Sequence, residues 1–241
     1  MSLFIQPNWP APNHVKAYTT LRECDSYLPF EGDTYVEESH KEKIKKNRTL
    51  LKNLLQFPEE PIWLQQTHSA TVIKASPSHR QFNADASFAD EKNQVCVVHT
   101  ADCLPILLCD KKGTQVAAIH GGWRGLAKGI IQNTVQTLNV PSDELLVWLG
   151  PAICATHYEV GNEVRDIFIE KNAELAKAFS PSPQGRWLAD LYAIARIQFQ
   201  MLGVKNIFGG EFCTFEEEDL FFSYRREGKN IGRIATLIWI S

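Results

Sequence analysis

The chain has no long apolar run, no long basic run and no compact metal-binding motif, and each absence excludes a class of protein. No stretch of its 241 residues is apolar over the length needed to cross a bilayer. The lack of a basic run argues against a nucleic-acid-binding protein. The first 15 residues hold three prolines and no apolar segment typical of a signal peptide. We therefore expect a cytoplasmic protein with no membrane or nucleic-acid partner.

Several catalytic signatures are also missing. The chain has no GxxxxGK[ST] loop, no GxGxxG, no HExxH and no GxSxG. The HxE and PCxxC pattern of zinc nucleobase deaminases is absent as well. Six cysteines occur without a CxxC pair, and in a reducing compartment we expect all of them to be free thiols: residues 24, 96, 103, 109, 154 and 213.

Helical and strand patterns alternate along the chain, and adjacent hairpins exclude a purely parallel sheet. The sequence predicts an α/β (α+β) protein, a layered single domain over residues 1–241 with a mixed β-sheet covered by helices. Apolar spacing predicts helices at 38–57, 124–138, 162–179 and 188–202. Strands are predicted at 17–20, 61–68, 72–75, 94–100, 104–110, 115–119, 145–149 and 206–211, with a closing hairpin of 221–225 and 235–240.

The hairpin of strands 104–110 and 115–119 carries the first candidate site. Cys103 comes just before its first strand and His120 just after its second, so both should lie at one sheet edge. A thiol and an imidazole at one edge suit either a metal site or a Cys–His catalytic pair. The alternative is a purely structural role, with a buried thiol beside a hydrogen-bonded histidine.

His68 ends the predicted strand 61–68 and completes a Cys/His/His set with Cys103 and His120. Three protein ligands and one open position are typical of a catalytic zinc. Two acidic residues, Asp85 and Asp102, are candidates to orient a histidine or to transfer a proton.

An anion site is predicted beside this set. Gly121 and Gly122 precede a predicted helix, where free N–H groups favour an anion, and Arg124 opens that helix. Arg225 is a further candidate for a phosphate or carboxylate. For Arg226 and Arg233 we favour surface salt bridges.

The runs TADCLPILLCD, AAIHGGWRGLAKGI, WLGPAI with HYEVG, and FFSYRREG resemble the YfiH/laccase-domain family, also called the polyphenol oxidase family. The resemblance covers residues 61–241. The chain departs from the family pattern at 28–33 and at 154–157, where one cysteine of the usual pair is replaced.

The resemblance implies a layered α/β fold related to cysteine-hydrolase-like toxins and a mononuclear zinc on His68, Cys103 and His120. Family members are described as purine nucleoside phosphorylases that act on adenosine, inosine and methylthioadenosine and also deaminate adenosine. Laccase activity and the editing of peptidoglycan precursors are attributed to the family too.

Physical chemistry ranks these activities. A multicopper oxidase needs a blue-copper site and a further histidine-rich cluster, which seven scattered histidines hardly supply, so copper is less favoured than zinc. We expect a phosphorylase and deaminase whose partners are a purine nucleoside and phosphate. Catalytic roles are predicted for Cys103, His120, His68 and Asp85. A Cys–His amidase that edits peptidoglycan precursors is the alternative, and a binding module with a structural metal is a third interpretation.

Overall fold

The computed structural model describes residues 3–24, 38–76, 83–228 and 231–241, so the departure at 28–33 lies outside the described residues. The helices are α1 (Glu38–Leu55), α2 (Trp123–Lys128), α3 (Ile130–Leu138), α4 (Asn162–Lys171), α5 (Leu191–Met201) and α6 (Tyr224–Glu227). The strands are β1 (Phe4–Ile5), β2 (Val15–Thr20), β3 (Ile62–Trp63), β4 (Val72–Lys74), β5 (Ala86–Ala89), β6 (Cys96–Thr100), β7 (Leu104–Asp110), β8 (Val116–Gly121), β9 (Leu145–Leu149), β10 (Glu159–Val160), β11 (Phe179–Ser182), β12 (Arg186–Ala189), β13 (Asn206–Gly209) and β14 (Ile234–Ile240).

Two larger sheets and one small sheet organise these strands. One sheet has the order β1-β2-β14-β6-β3, the second has the order β13-β9-β7-β8-β5-β4, and the small one is β10-β12-β11. Both larger sheets mix parallel and antiparallel neighbours, since β6 pairs parallel with β3 and antiparallel with β14, and β5 does the same with β4 and β8. The predicted mixed α/β class is confirmed, but the strands form three sheets and not the single sheet that was expected.

The hairpin strand β7 shows how the layers stack. Every residue of β7 is buried, and its side chains alternate between two cores. Leu104, Ile106 and Leu108 pack in the core formed with α2, α3 and α5. Leu107 and Cys109 point the other way, into the core shared with the five-stranded sheet. Because successive side chains of a strand face opposite sides, β7 lies between a helical layer and a second sheet.

The outer face of the five-stranded sheet is covered by α1. Leu51 and Leu55 of that helix pack with Val97 and Leu237 of the sheet. The order of layers is therefore helices, six-stranded sheet, five-stranded sheet and helix. In the part of the chain that the structure describes, no helix has the length and apolarity needed to span a membrane.

Three predicted helices are shorter than expected, each for a local reason. The helix expected at 124–138 divides at Gly129, whose φ of 93° ends α2 and begins α3. The helix expected at 188–202 begins only at Leu191, because the Asp190 side chain accepts the Ala193 N–H as an N-cap. The helix expected at 162–179 stops at Lys171, and the chain continues through the 3-10 turn Ala173–Ala178 into β11.

The predicted closing hairpin of 221–225 and 235–240 is wrong. Strand β14 pairs with β2 and β6, and the segment before it forms α6. Ser223 caps that helix reciprocally: its side chain accepts the Arg226 N–H, and its own N–H donates to Glu227 at 3.3 Å. Ser223 is therefore the N-cap of α6, a local signal that the sequence contains and that the strand prediction overlooked.

Candidate active site

The three soft ligands predicted from the sequence meet at one end of the β7–β8 hairpin. Their ligand atoms, from His68, Cys103 and His120, all lie within 4.8 Å of one another. The Cys103 Sγ is 3.9 Å from the His68 Nε2. The rings of His68 and His120 meet edge to face with centroids 4.8 Å apart. The convergence that the sequence predicted is therefore present.

The backbone positions of His120 and His68 differ from the prediction. His120 lies within β8, paired with Pro105, instead of following the strand. His68 is not at a strand end, because β3 stops at Trp63. It lies in a bend with a φ of 54°, a conformation that few non-glycine residues adopt.

Asp85 holds this bend and orients one histidine. Its fully buried carboxylate accepts the backbone N–H groups of Thr67 (3.1 Å), His68 (3.0 Å) and Ser69 (2.6 Å), and also the Ser69 hydroxyl at 2.6 Å. The His120 Nδ1 lies 2.8 Å from the same carboxylate. With Nδ1 engaged, His120 is left with Nε2 as its free ligand atom. Asp85 thus positions two of the three candidate ligands at once.

The electrostatics of the set favour an ionised thiol. Burial by itself would raise the pKa of Cys103, but His120 and His68 outweigh burial and lower the pKa. Burial would lower the pKa of His120, but Cys103 and Asp85 together raise it. For Asp85, burial opposes ionisation, yet the hydrogen bonds from His120 and Ser69 lower its pKa to about 2. The Cys103 thiolate and the Asp85 carboxylate therefore lie on either side of His120, and each stabilises the charge of its neighbours.

Gly122 is required by the packing of the ligands. A Cβ at this position would lie 2.7 Å from the His68 Cδ2 and 3.2 Å from the Cys103 Sγ. At Gly121, a Cβ would lie 2.7 Å from the Leu104 carbonyl oxygen across the hairpin. The helix after them, α2, has only six residues. The two glycines therefore allow close packing, and the anion-binding role expected for them stays a prediction.

A cavity of about 410 Å³ opens over the ligand set. Arg124 and Arg225 line it, as do His68, Cys103 and His120, whereas Asp85 lies behind the histidines. The Arg124 guanidinium lies 4.5 Å from the Trp123 ring centre, and that of Arg225 lies 5.4 Å from the Tyr158 ring centre. With Arg233, which also lines the cavity, three arginines and several aromatic rings therefore border the candidate ligands.

The structure adds residues that sequence reasoning missed. Trp123, Tyr158 and Tyr224 line the cavity, and each lies within one of the sequence runs that carry the family resemblance, which was the available signal. The salt bridge expected for Arg226 is present, since its Nη2 lies 2.7 Å from the Glu227 Oε1, whereas the surface position expected for Arg233 is wrong. Arg233 is buried and lines the cavity, while Arg226 donates to the carbonyl oxygens of three residues, Thr214, Phe215 and Phe221.

The expectation of six free thiols is also wrong. Cys154 and Cys213 form a disulfide with their Cα atoms 5.1 Å apart, and 59 residues separate them in the sequence. Cys24, Cys96, Cys103 and Cys109 are free. Such a pairing between distant cysteines has no local sequence signal.

Comparisons with known proteins agree over the whole chain. Residues 26–241 match the family described as multi-copper polyphenol oxidoreductase laccase. A protein named purine nucleoside phosphorylase from Pseudomonas aeruginosa is 46% identical, with 100% of this chain and 99% of that protein aligned. The purine nucleoside phosphorylase YfiH of Escherichia coli is 40% identical, with 100% of both covered. A crystal structure of a Neisseria meningitidis protein is 41% identical and superposes with a TM-score of 0.91 over 100% of both chains.

Proposed function

Because the chain belongs to the YfiH/laccase-domain family, we propose that it is a zinc-dependent purine nucleoside phosphorylase. Its substrates would be adenosine, inosine and methylthioadenosine. The observation that carries the proposal is the joint position of a His/Cys/His set with Arg124 and Arg225 around one cavity of about 410 Å³. That volume lies within the range of pockets that enclose small ligands.

Phosphorolysis requires a group that holds phosphate beside the sugar and a surface that binds the purine, and the cavity residues can meet both requirements. An oxygen of hydrogen phosphate forms a bond to the C1′ carbon of the ribose, the glycosidic C–N bond breaks, and the departing purine takes up the proton that the phosphate loses. The products are ribose 1-phosphate and the free base. Arg124 and Arg225 would hold the phosphate by charge-assisted hydrogen bonds, and Trp123, Tyr158 and Tyr224 offer aromatic surface for the purine.

The donor set fits zinc. Ligands of a tetrahedral zinc are roughly 3.5 Å apart when the metal–ligand distances are about 2.0–2.3 Å, and the ligand atoms here lie within 4.8 Å of one another. When bound, zinc supplies a Lewis acid that activates a nucleophile at neutral pH. Asp85 would fix the ring of His120 and the loop of His68, and Gly122 would leave room for both beside Cys103. Deamination of adenosine at the same place is our proposed second activity.

Copper-dependent laccase activity is not favoured by the residues. Such an oxidase needs a histidine-rich cluster besides the first copper site. Among the described residues, no group of potential metal ligands other than His68, Cys103 and His120 contains a histidine. His99 stacks on Trp63, and His14 lies against the Gly113 carbonyl group.

A Cys–His amidase that edits peptidoglycan precursors is the second candidate. Cys103, His120 and Asp85 have the order of a nucleophile, a base and an orienting carboxylate, which is the specific observation in its favour. His68 distinguishes the two proposals, because it serves as a metal ligand in the first and has no necessary role in the second.

The test is incubation of purified protein with adenosine in the presence and absence of phosphate, followed by chromatography of the bases and nucleosides. We expect adenine and ribose 1-phosphate only when phosphate is present, and inosine in either case. Cys103→Ala is the inactive control, and Cys109→Ala is the matched control, since Cys109 is a free cysteine on β7 that does not line the cavity. If neither adenine nor inosine forms above the Cys103→Ala background, the proposal is rejected.

The cytoplasmic location of the protein stays a prediction from the sequence.

A further inference from the structure

Asp102 stands next to the ligand Cys103 in an unusual backbone conformation. Its φ is 91°, a value that non-glycine residues rarely adopt, and only 8% of the residue is exposed. The sequence offered Asp85 and Asp102 as candidates to orient a histidine, and Asp85 has that contact. Asp102 lines the cavity and has a different set of partners.

Those partners come from three separate segments of the chain. The Asp102 carbonyl oxygen accepts the Ile153 N–H at 3.0 Å. Its Oδ1 accepts the Thr214 hydroxyl at 2.7 Å, and its Oδ2 accepts the backbone N–H of Arg225 at 2.6 Å. One residue therefore joins the loop before β7 to the segment after β9, the segment before α6, and the first turn of α6.

Each of the joined segments bears on the cavity wall. Ile153 and Arg225 line the cavity directly. The Thr214 carbonyl oxygen accepts a guanidinium N–H of Arg226 at 2.7 Å, and so fixes the residue that follows Arg225. The wall around Arg225 and the loop of Cys103 are thus fastened to each other through Asp102.

We propose that Asp102 is a positioning residue that sets the distance between the anion-binding arginine, Arg225, and the ligand Cys103. The inference rests on the proposed function, since it assumes that Arg225 binds phosphate. Both carboxylate oxygens of Asp102 accept hydrogen bonds from protein groups. The residue acts through Arg225 and Cys103 and needs no contact with substrate.

The chemistry of asparagine permits a sharp test. In Asp102→Asn, the amide oxygen can accept the Arg225 N–H while the amide nitrogen donates to the Thr214 hydroxyl, so both contacts survive. Asp102→Ala removes both, and Thr214→Val removes one. Asp110→Ala is the matched control, because Asp110 lies at the other end of β7, is buried, and accepts three hydrogen bonds from Thr114 and Gln115.

The experiment measures the Kd of inorganic phosphate for each zinc-loaded protein by calorimetry, with the zinc content and near-ultraviolet circular dichroism recorded alongside. Loss of hydrogen bonds to a charged group corresponds to a roughly tenfold or larger effect, so we expect Asp102→Ala to raise the Kd by about tenfold. Thr214→Val should raise it less. Asp102→Asn and Asp110→Ala should stay within about twofold of the unaltered protein.

The negative results distinguish a failure of the proposed function from a failure of the inference about Asp102. If phosphate binds but adenosine is not cleaved, the proposed function is rejected and the inference is still tested by the Kd values. An unchanged Kd in both Asp102→Ala and Thr214→Val, or no phosphate binding at all, would overturn the inference. The inference would also be overturned if Asp102→Asn bound phosphate as weakly as Asp102→Ala. The negative charge of Asp102, and not its hydrogen bonds to Thr214 and Arg225, would then determine the Kd. If Asp102→Ala does not fold, Thr214→Val decides.

Discussion

Substitution of Asp85 by asparagine should weaken the metal site and the fold together. The carboxylate accepts hydrogen bonds from three backbone N–H groups, one hydroxyl and one imidazole, and an amide has only one acceptor oxygen. If the amide nitrogen faces His120, the His120 Nδ1 becomes an acceptor and its proton moves to Nε2. That tautomer cannot bind a metal through Nε2.

The magnitudes follow from the structure. Loss of a group that orients a metal ligand typically lowers metal affinity by 10–100-fold, and we expect a value of about that size. The pKa of Asp85 falls from 3.8 to about 2 in the folded protein. At about 1.4 kcal/mol for each pKa unit, the ionised carboxylate contributes roughly 2.5 kcal/mol of stability at neutral pH.

The sign of the pH dependence is fixed by the direction of this shift. A carboxyl group whose pKa is lower in the folded state stabilises the fold above its unfolded pKa, and the contribution is lost as the pH falls through the folded value. For Asp85 that window runs from about 4 down to about 2. The difference in free energy of unfolding between the two proteins should therefore be greatest at neutral pH and shrink across that window.

The assay is urea unfolding of the metal-free proteins across this pH range, with a chelator competition titration for zinc. Asp110→Asn is the control, since it alters a buried carboxylate at the end of β7 that is away from the ligands. It should lose stability while its zinc affinity is retained. An Asp85→Asn protein that binds zinc as tightly as the unaltered chain would refute the reasoning.

Two further predictions concern Gly122 and the disulfide. Gly122→Ala places a methyl group 2.7 Å from His68 and 3.2 Å from Cys103, so zinc affinity in the same titration should fall by about 10–100-fold, and an unchanged affinity would contradict the packing role. Reduction of the Cys154–Cys213 bond opens a loop with a sequence separation of 59, which in the chain-entropy description lowers the free energy of unfolding by up to about 4 kcal/mol. Urea unfolding with and without reductant checks this prediction, and Cys154→Ser should abolish the effect of the reductant. If the unaltered protein has the same urea midpoint with and without reductant, the result would contradict a stabilising disulfide.

The sequence could predict the parts of the site that follow from strand periodicity. Cys103 and His120 flank a hairpin whose strands are apolar throughout, and β7 and β8 have almost the predicted bounds. The apolar run of β7 indicated burial on both faces, but it held no information on whether helices or a second sheet would cover each face. Two stacked sheets were therefore not foreseen.

Other features depend on contacts between distant residues. Asp85 was predicted as a catalytic residue that orients a histidine or transfers a proton, but its hydrogen-bond partners could not be named, because residues 67–69 and His120 become its neighbours only in the fold. The Cys154–Cys213 pair has the same origin. By contrast, the caps at Asp190 and Ser223 are local signals, and they outweighed the apolar periodicity that predicted a longer helix and a strand.

The most direct test of the account is the metal dependence of phosphorolysis. The protein would be stripped of metal with a chelator, and adenine release from adenosine and phosphate would be measured before and after one equivalent of zinc is restored. The account predicts that activity disappears on stripping, returns with one zinc per chain, and does not return in His68→Ala. Full phosphorolysis by the metal-free protein, or recovery in His68→Ala equal to that of the unaltered chain, would contradict a His68–Cys103–His120 zinc site as the centre of the reaction.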